Sequence, residues 1–326
     1  MGIHTIEKIG GTSMSQFGSV MSNVIIGDRQ GSEFYNRGFV VSAYGGITNL
    51  LLEHKKSGEQ GVYAKYAGGD KTWRNALTHV RTAMKDLNEG FAELGLDVDA
   101  ANEFVEERIE GIRHCLNDLG RLASYGHFPL ADHLPAVREM LSAVGEAHSA
   151  YNSVQILKKQ GINAVMIDLT GWMDVENLPF DEVIQKAFEK IDFATQMPII
   201  TGYTKCAEGI MSTFDRGYSE ITFSKIAVLT DAKEAVIHKE FHLSSGDPKL
   251  IGEYLQSPSF SRQKYELFAL QHMQLLVWLQ RVQQGALQGS ATTGEELTLF
   301  VLQIGHAARV LLFQPLQVEN FWVGNA

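Results

Sequence analysis

His4-Thr5-Ile6-Glu7-Lys8-Ile9-Gly10-Gly11-Thr12-Ser13 and Gly38-Phe39-Val40-Val41-Ser42-Ala43-Tyr44-Gly45-Gly46-Ile47-Thr48-Asn49 read the same way: a short strand, a glycine turn, the start of a helix. In the first unit His4–Ile9 is the strand. Met14–Ile26 is its helix, with Phe17, Val20, Met21, Val24 and Ile25 on a helical period. In the second, Gly38–Ala43 is the strand and Ile47–Lys55 the helix. The pattern returns later: strand Ala164–Leu169 with helix Phe180–Ile191, strand Met197–Gly202 with helix Arg216–Leu229, then strand Ala235–His238. Strands alternating with helices of this length predict an α/β fold, a three-layer α/β/α sandwich around a mostly parallel central sheet.

A helical insertion occupies the middle, from about 72 to 159. There Leu77, Val80, Met84, Leu87 and Phe91 keep one face apolar, as do Val105, Ile109, Ile112, Leu116 and Leu119, and Pro135–Lys159 forms a further helix. After about Ile251 the texture changes. Gln256, Gln263, Gln271, Gln274, Gln280, Gln283, Gln284 and Gln288 are spread through a Leu- and Val-rich helical pattern. The expected division is therefore a domain at 1–251 and a divergent, mainly helical tail at 252–326.

With 326 residues, 44% apolar and 20% charged, the chain can bury a sizeable core without staples. Cys115 and Cys206 are the two cysteines, too few for a disulfide framework or a cysteine zinc site, so a reducing compartment is expected. A net charge of −10 argues against nucleic acid as a partner. The start of the chain lacks the apolar core of a secretion signal, and Gln303, Gly305, His306 and Arg309 interrupt the apolar stretch Leu297–Phe313. The expectation is a cytoplasmic protein with no membrane partner.

In parallel sheets, ligands bind where strands end and helices begin, because free amides and the helix dipole favour anions there. Lys8–Ser13 sets a cation before paired glycines and two hydroxyls, a composition suited to phosphate but equally to a solvated glycine turn. It is not a Walker A loop. Ser42–Asn49 repeats the logic with Ser42 and Thr48 as neutral donors, though ligand-free glycine connections of this kind are common. Arg216-Gly217-Tyr218-Ser219-Glu220 could hold a carboxylate bidentately, or could be a surface arginine before an acidic first turn. Glu146, among Ala147, Ser149 and Ala150, could receive an ammonium or be an exposed helix acid. His238-Lys239-Glu240-Phe241-His242 superficially looks like a zinc helix, but on a strand its two histidines stand about 13 Å apart, too far to share one metal.

Taken in order, these segments resemble the aspartate kinases of the amino acid kinase superfamily. Lys8–Ser13 looks like the family's Lys-Phe-Gly-Gly-Thr-Ser, Ser42–Asn49 like its Ser-Ala-x-x-Gly-x-Thr-Asn, Gly145-Glu146 like its substrate-binding Gly-Glu, and Asp215–Glu220 like Gly-Arg-Gly-Gly-Ser-Asp. Ser124-Tyr125-Gly126-His127 and Gly145–Ala150 are similar to the branch encoded with ectoine biosynthesis, and the resemblance covers about residues 3–251. It implies transfer of the ATP γ-phosphoryl group to the side-chain carboxylate of L-aspartate, the first step of aspartate-family amino acid or ectoine biosynthesis. By resemblance, Lys8 and Glu220 are catalytic, Glu220 orienting Lys8. Ser42, Thr48, Glu146, Arg216 and Ser219 bind aspartate. Lys8, Gly10, Gly11, Ser13, His238, Lys239, Ser244 and Lys249 contact ATP. Mg2+ accompanies the nucleotide, held by phosphates and water rather than a protein cage. A homo-oligomer is compatible with the family.

The chain departs from the family at its nucleotide end. His238-Lys239 replace a usual Thr-Asp, and Ser244 and Lys249 replace a tyrosine and an arginine. Residues 252–326 resemble neither the family's closing His-Pro segment nor its paired ACT regulatory modules, which implies no feedback through such modules. Two alternatives stand beside the kinase reading: a catalytically impaired remnant that binds aspartate or nucleotide, and another amino acid kinase acting on glutamate or acetylglutamate, which Gly145-Glu146 and Arg216–Glu220 together disfavour.

Overall fold

A computed structural model describes residues 2–214 and 217–238. The expected roles of Arg216, Lys239, Ser244 and Lys249, and the expected helical tail at 252–326, lie outside the described residues.

The chain runs through strand β1 (Thr5–Ile9), helices α1 (Gly11–Met14) and α2 (Phe17–Val20), a wide π-helical turn (Met21–Ile26) and strand β2 (Arg37–Val41). Helices α3 (Ile47–Leu51), α4 (Val62–Ala67), α5 (Trp73–Gly90), α6 (Val98–Ala123) and α7 (Leu134–Lys159) follow. Strand β3 (Ala164–Ile167), helix α8 (Phe180–Phe188), strand β4 (Met197–Thr201), helices α9 (Ile210–Phe214) and α10 (Tyr218–Leu229) and strand β5 (Glu234–His238) complete the described part. Its five strands form one sheet in the order β3-β4-β2-β1-β5, every neighbouring pair parallel.

Two adjacent side chains of β1 show why the sheet needs a layer on each face, since successive residues of a strand point to opposite sides. Lys8 reaches Glu220 of α10 on one side. On the other, Glu7 accepts from Arg37 Nε at 2.7 Å and Nη2 at 3.0 Å and pairs with His238 Nε2 at 2.7 Å. Arg37 also donates to the carbonyls of Ile25 and Val24, at 2.7 and 2.9 Å. The α/β/α layering expected from the strand–helix alternation is therefore present.

The uninterrupted helix expected over Met14–Ile26 is not. The helical path starts earlier, at Gly11, breaks at Ser15-Gln16 and ends in the π turn, whose last carbonyls, those of Val24 and Ile25, accept from the buried Arg37 guanidinium. The helix expected to reach Lys55 stops at Leu51, and Glu53 bridges back to Gln60. Short helices α4 and α9 had no expected counterpart.

The middle insertion is helical as its periodicity requires, α5 burying Leu77, Val80 and Met84 and α6 burying Val105, Ile109, Ile112 and Leu116. Helix α7 differs in kind: from Leu141 to Ala150 every residue is buried, including Ser142, Glu146, His148 and Ser149. No described helix is long and apolar enough to cross a membrane.

Candidate active site

The site lies where β1, β2 and β4 end, and tight backbone approach makes it. A Cβ on Gly145 would stand 2.7 Å from Ala43 Cβ, so α7 can lie against the turn after β2 only with glycine there. A Cβ on Gly11 would stand 2.6 Å from the Ala43 carbonyl, and one on Gly202 would stand 2.8 Å from Ser219 Cβ. In the first unit Gly11 serves close packing between turns. Gly46 alone among Gly10, Gly11, Gly45 and Gly46 needs the left-handed backbone, with φ of 88°. Two hydrogen bonds add to the closure: Gly45 N–H donates to Ser15 Oγ at 2.8 Å, and Ser149 Oγ to the Ser42 carbonyl at 2.9 Å.

Around that closure four of the expected functional residues meet. Lys8, 3% exposed, donates from Nζ to Glu220 Oε1 at 2.6 Å. Ser219, the neighbour of Glu220 on α10, donates from Oγ to Glu146 Oε1 at 2.7 Å. Glu146 is 1% exposed, so its alternative as an exposed helix acid is excluded. Burial pushes its carboxyl up to about 8, against the opposing Ser219 hydrogen bond and Lys8 charge. The Tyr203 amide lies close enough to lower it slightly, yet no donor among the described residues reaches Oε2 in hydrogen-bonding geometry. A buried acid with one oxygen held and the other unserved is costly unless a partner arrives.

Ser42 and Thr48 are half-buried at the same strand-end turn, and no hydrogen bond engages their hydroxyls among the described residues. Ser13 is buried in α1, two residues after Gly11. His238 is placed elsewhere: its ring pairs with Glu7 on the face of β1 opposite Lys8, so the structure does not bring it to the lysine. Burial alone would raise the Glu7 carboxyl, but the His238 and Arg37 hydrogen bonds outweigh it and hold Glu7 at about 2. Among the described residues no three His, Cys, Asp or Glu side chains converge as metal ligands.

Sequence reasoning missed a polar network beneath the site. His148 Nε2 meets Asn88 Oδ1 at 2.6 Å and Asn152 donates to the same oxygen at 2.8 Å. Burial pushes His148 down to about 3, so the ring is neutral. The spacing of His148 and Asn152, one helical turn apart in an otherwise small-residue run, was the available signal.

Residues 5–260 match the amino acid kinase family. Aspartate kinase Ask_Ect of Stutzerimonas stutzeri (strain A1501) is 54% identical over 252 residues, covering 77% of this chain and 53% of that protein. An aspartokinase of Candida albicans (strain SC5314 / ATCC MYA-2876) is 25% identical over 281 residues, covering 76% of this chain and 46% of that protein. The chain thus spans about half the length of these curated relatives. Among solved structures, E. coli aspartokinase III in complex with aspartate and ADP is similar, with a TM-score of 0.52 at 19% identity, over 76% of this chain and 52% of that one. That likeness shows the fold.

Proposed function

The chain belongs to the amino acid kinase family, and from that premise we propose that it is an aspartate kinase, moving the γ-phosphoryl group of ATP to the side-chain carboxylate of L-aspartate. The observation that carries the reading is the unserved Oε2 of buried Glu146, beside Ser219 and within the field of Lys8 and Glu220. A substrate ammonium supplies the missing donor and turns the neutral acid into a paired carboxylate.

In this reading an oxygen of the aspartate side chain attacks the γ-phosphorus, the bond from phosphorus to the β–γ bridging oxygen breaks, and ADP leaves with that electron pair. Carboxylate and phosphate are both anionic, so the protein's task is to position and neutralise. Lys8 carries the charge for the transferring group, and Glu220 holds its ammonium at the strand end. Ser42, Thr48 and Ser219 offer hydroxyls to the amino acid, and Arg216 its guanidinium to the α-carboxylate. Gly10, Gly11 and Ser13 border the phosphates. Mg2+ fits as a companion of the nucleotide, bound chiefly by phosphate oxygens and water. The likeness to Ask_Ect supports placing the step in ectoine biosynthesis.

A second reading, an aspartate-binding protein with impaired turnover, is favoured by the engagement of His238 with Glu7 in place of a nucleotide contact. Aspartate-dependent ADP release from Mg-ATP separates the two. Turnover is expected. Calorimetric aspartate binding by folded protein with no ADP release would establish the second reading instead.

A further inference from the structure

Helix α7 carries a second carboxylate, Glu139, two turns before Glu146 and roughly 10 Å away along the same face. Its oxygens collect three donors from the segment between β4 and α10. Oε2 accepts from the Tyr203 hydroxyl at 2.7 Å. Oε1 accepts from the backbone amides of Met211 at 2.8 Å and Ser212 at 3.2 Å, the opening of α9. Gly209, in the left-handed region with φ of 72°, comes so near that a Cβ on it would stand 3.3 Å from Oε1.

Each tether leads to the site. Tyr203, 2% exposed, sits two residues after β4, and its ring meets the Tyr218 ring edge-on with centroids 5.7 Å apart. Tyr218 opens α10 directly before Ser219 and Glu220. The other tether holds α9, and α9 ends at Phe214, two residues before Arg216 in the chain. Helix α7 therefore carries Glu146 and, through Glu139, holds Tyr203 and the opening of α9, while Tyr203 in turn meets the residue before Ser219.

We propose that Glu139 is a positioning residue, fixing Tyr203 and α9, and through Tyr218 the start of α10, relative to Glu146 and so setting the affinity for the amino acid substrate rather than for the nucleotide. The proposal rests on the aspartate kinase reading for its kinetic arm and on the tether alone for its structural arm. The geometry demands both oxygens: glutamine keeps one acceptor, and alanine keeps none.

The test compares wild type, Glu139→Gln and Glu139→Ala in the full chain by two measurements. Steady-state kinetics are expected to show the aspartate KM rising at least tenfold in Glu139→Ala, with Glu139→Gln between it and wild type, while the ATP KM stays within twofold. Amide hydrogen exchange without substrate is expected to speed up in peptides covering 203–214 in the same order. An aspartate KM within twofold of wild type, equal rises in both KM values, or a lower Tm with neither KM moved would overturn the role. Unchanged exchange would overturn the tether. A wild-type protein that turns over no aspartate would remove the functional reading alone, because the exchange measurement involves no substrate. Should Glu139→Ala fail to fold, the near-isosteric Glu139→Gln carries both measurements.

Discussion

Aspartate binding should displace a proton, and the surroundings of Glu146 set how much. Burial keeps this carboxyl neutral up to a pKa of about 8. At pH 7 a group of that pKa is about 90% protonated, so an ammonium that stabilises its carboxylate should expel about 0.9 proton per aspartate bound, against about 0.1 at pH 9. Aspartate affinity should accordingly rise about tenfold per unit between pH 6 and about 8 and then level off. The same shift bears on stability. The folded pKa of this acid lies above its unfolded value of 4.5, so the folded state holds the extra proton and stability falls as pH rises from 4.5 to about 8. By pH 7 that loss amounts to about 3 kcal/mol. Calorimetry at pH 7 in buffers of different ionisation enthalpy reads the proton count from the slope of observed heat. Glu146→Gln should bring the slope to zero and remove the matching pH dependence from urea unfolding. A heat independent of buffer in the wild type, or an affinity flat from pH 6 to 8, would refute the argument.

Three further outcomes can be checked on single variants. Lys8→Ala should abolish turnover and also cost about 1–3 kcal/mol, because Glu220 loses the ammonium held at 2.6 Å; substantial remaining kcat would remove Lys8 from the mechanism. Gly202→Ala puts a Cβ 2.8 Å from Ser219 Cβ and 3.0 Å from the Val41 carbonyl, so a loss of about 1–3 kcal/mol and a weaker aspartate KM are expected; an unchanged KM would show that α10 can yield without moving Ser219. Glu7 is held at about 2, so its contribution of about 3 kcal/mol is full above pH 4.5 and is lost as pH falls toward 2. Glu7→Gln should cost about 3–5 kcal/mol at pH 7 by leaving the Arg37 guanidinium buried without its carboxylate, and denaturant melts that match wild type would contradict this.

The strands and long helices were legible from local signals: β1 ends at a glycine pair, β2 is a short apolar run before a glycine turn, and α5 and α6 carry apolar stripes. Helix α7 was legible as a helix but not as a buried one, since a helix enclosed all round by neighbours has no polar face to reveal its orientation. That is why Glu146, taken by itself, reads more readily as a surface acid than as a ligand group until its surroundings are known. The expected extent of the first helix failed for another reason. It breaks at Ser15-Gln16, where Ser15 Oγ accepts from the Gly45 amide, a contact from 30 positions away that no local period carries. Glu139 was equally silent, because its three donors come from residues more than sixty positions away.

Neighbouring residues of opposite sign at the centre of β1 also guard the assembly of the sheet. Sliding the strand by one position would turn each side chain to the wrong side. Glu7 would then be delivered to Glu220 and Glu146, and Lys8 to Arg37 and His238. Acid would confront acid and base would confront base at once, on both sides of the sheet. The misaligned register is thereby disfavoured on both faces of the sheet.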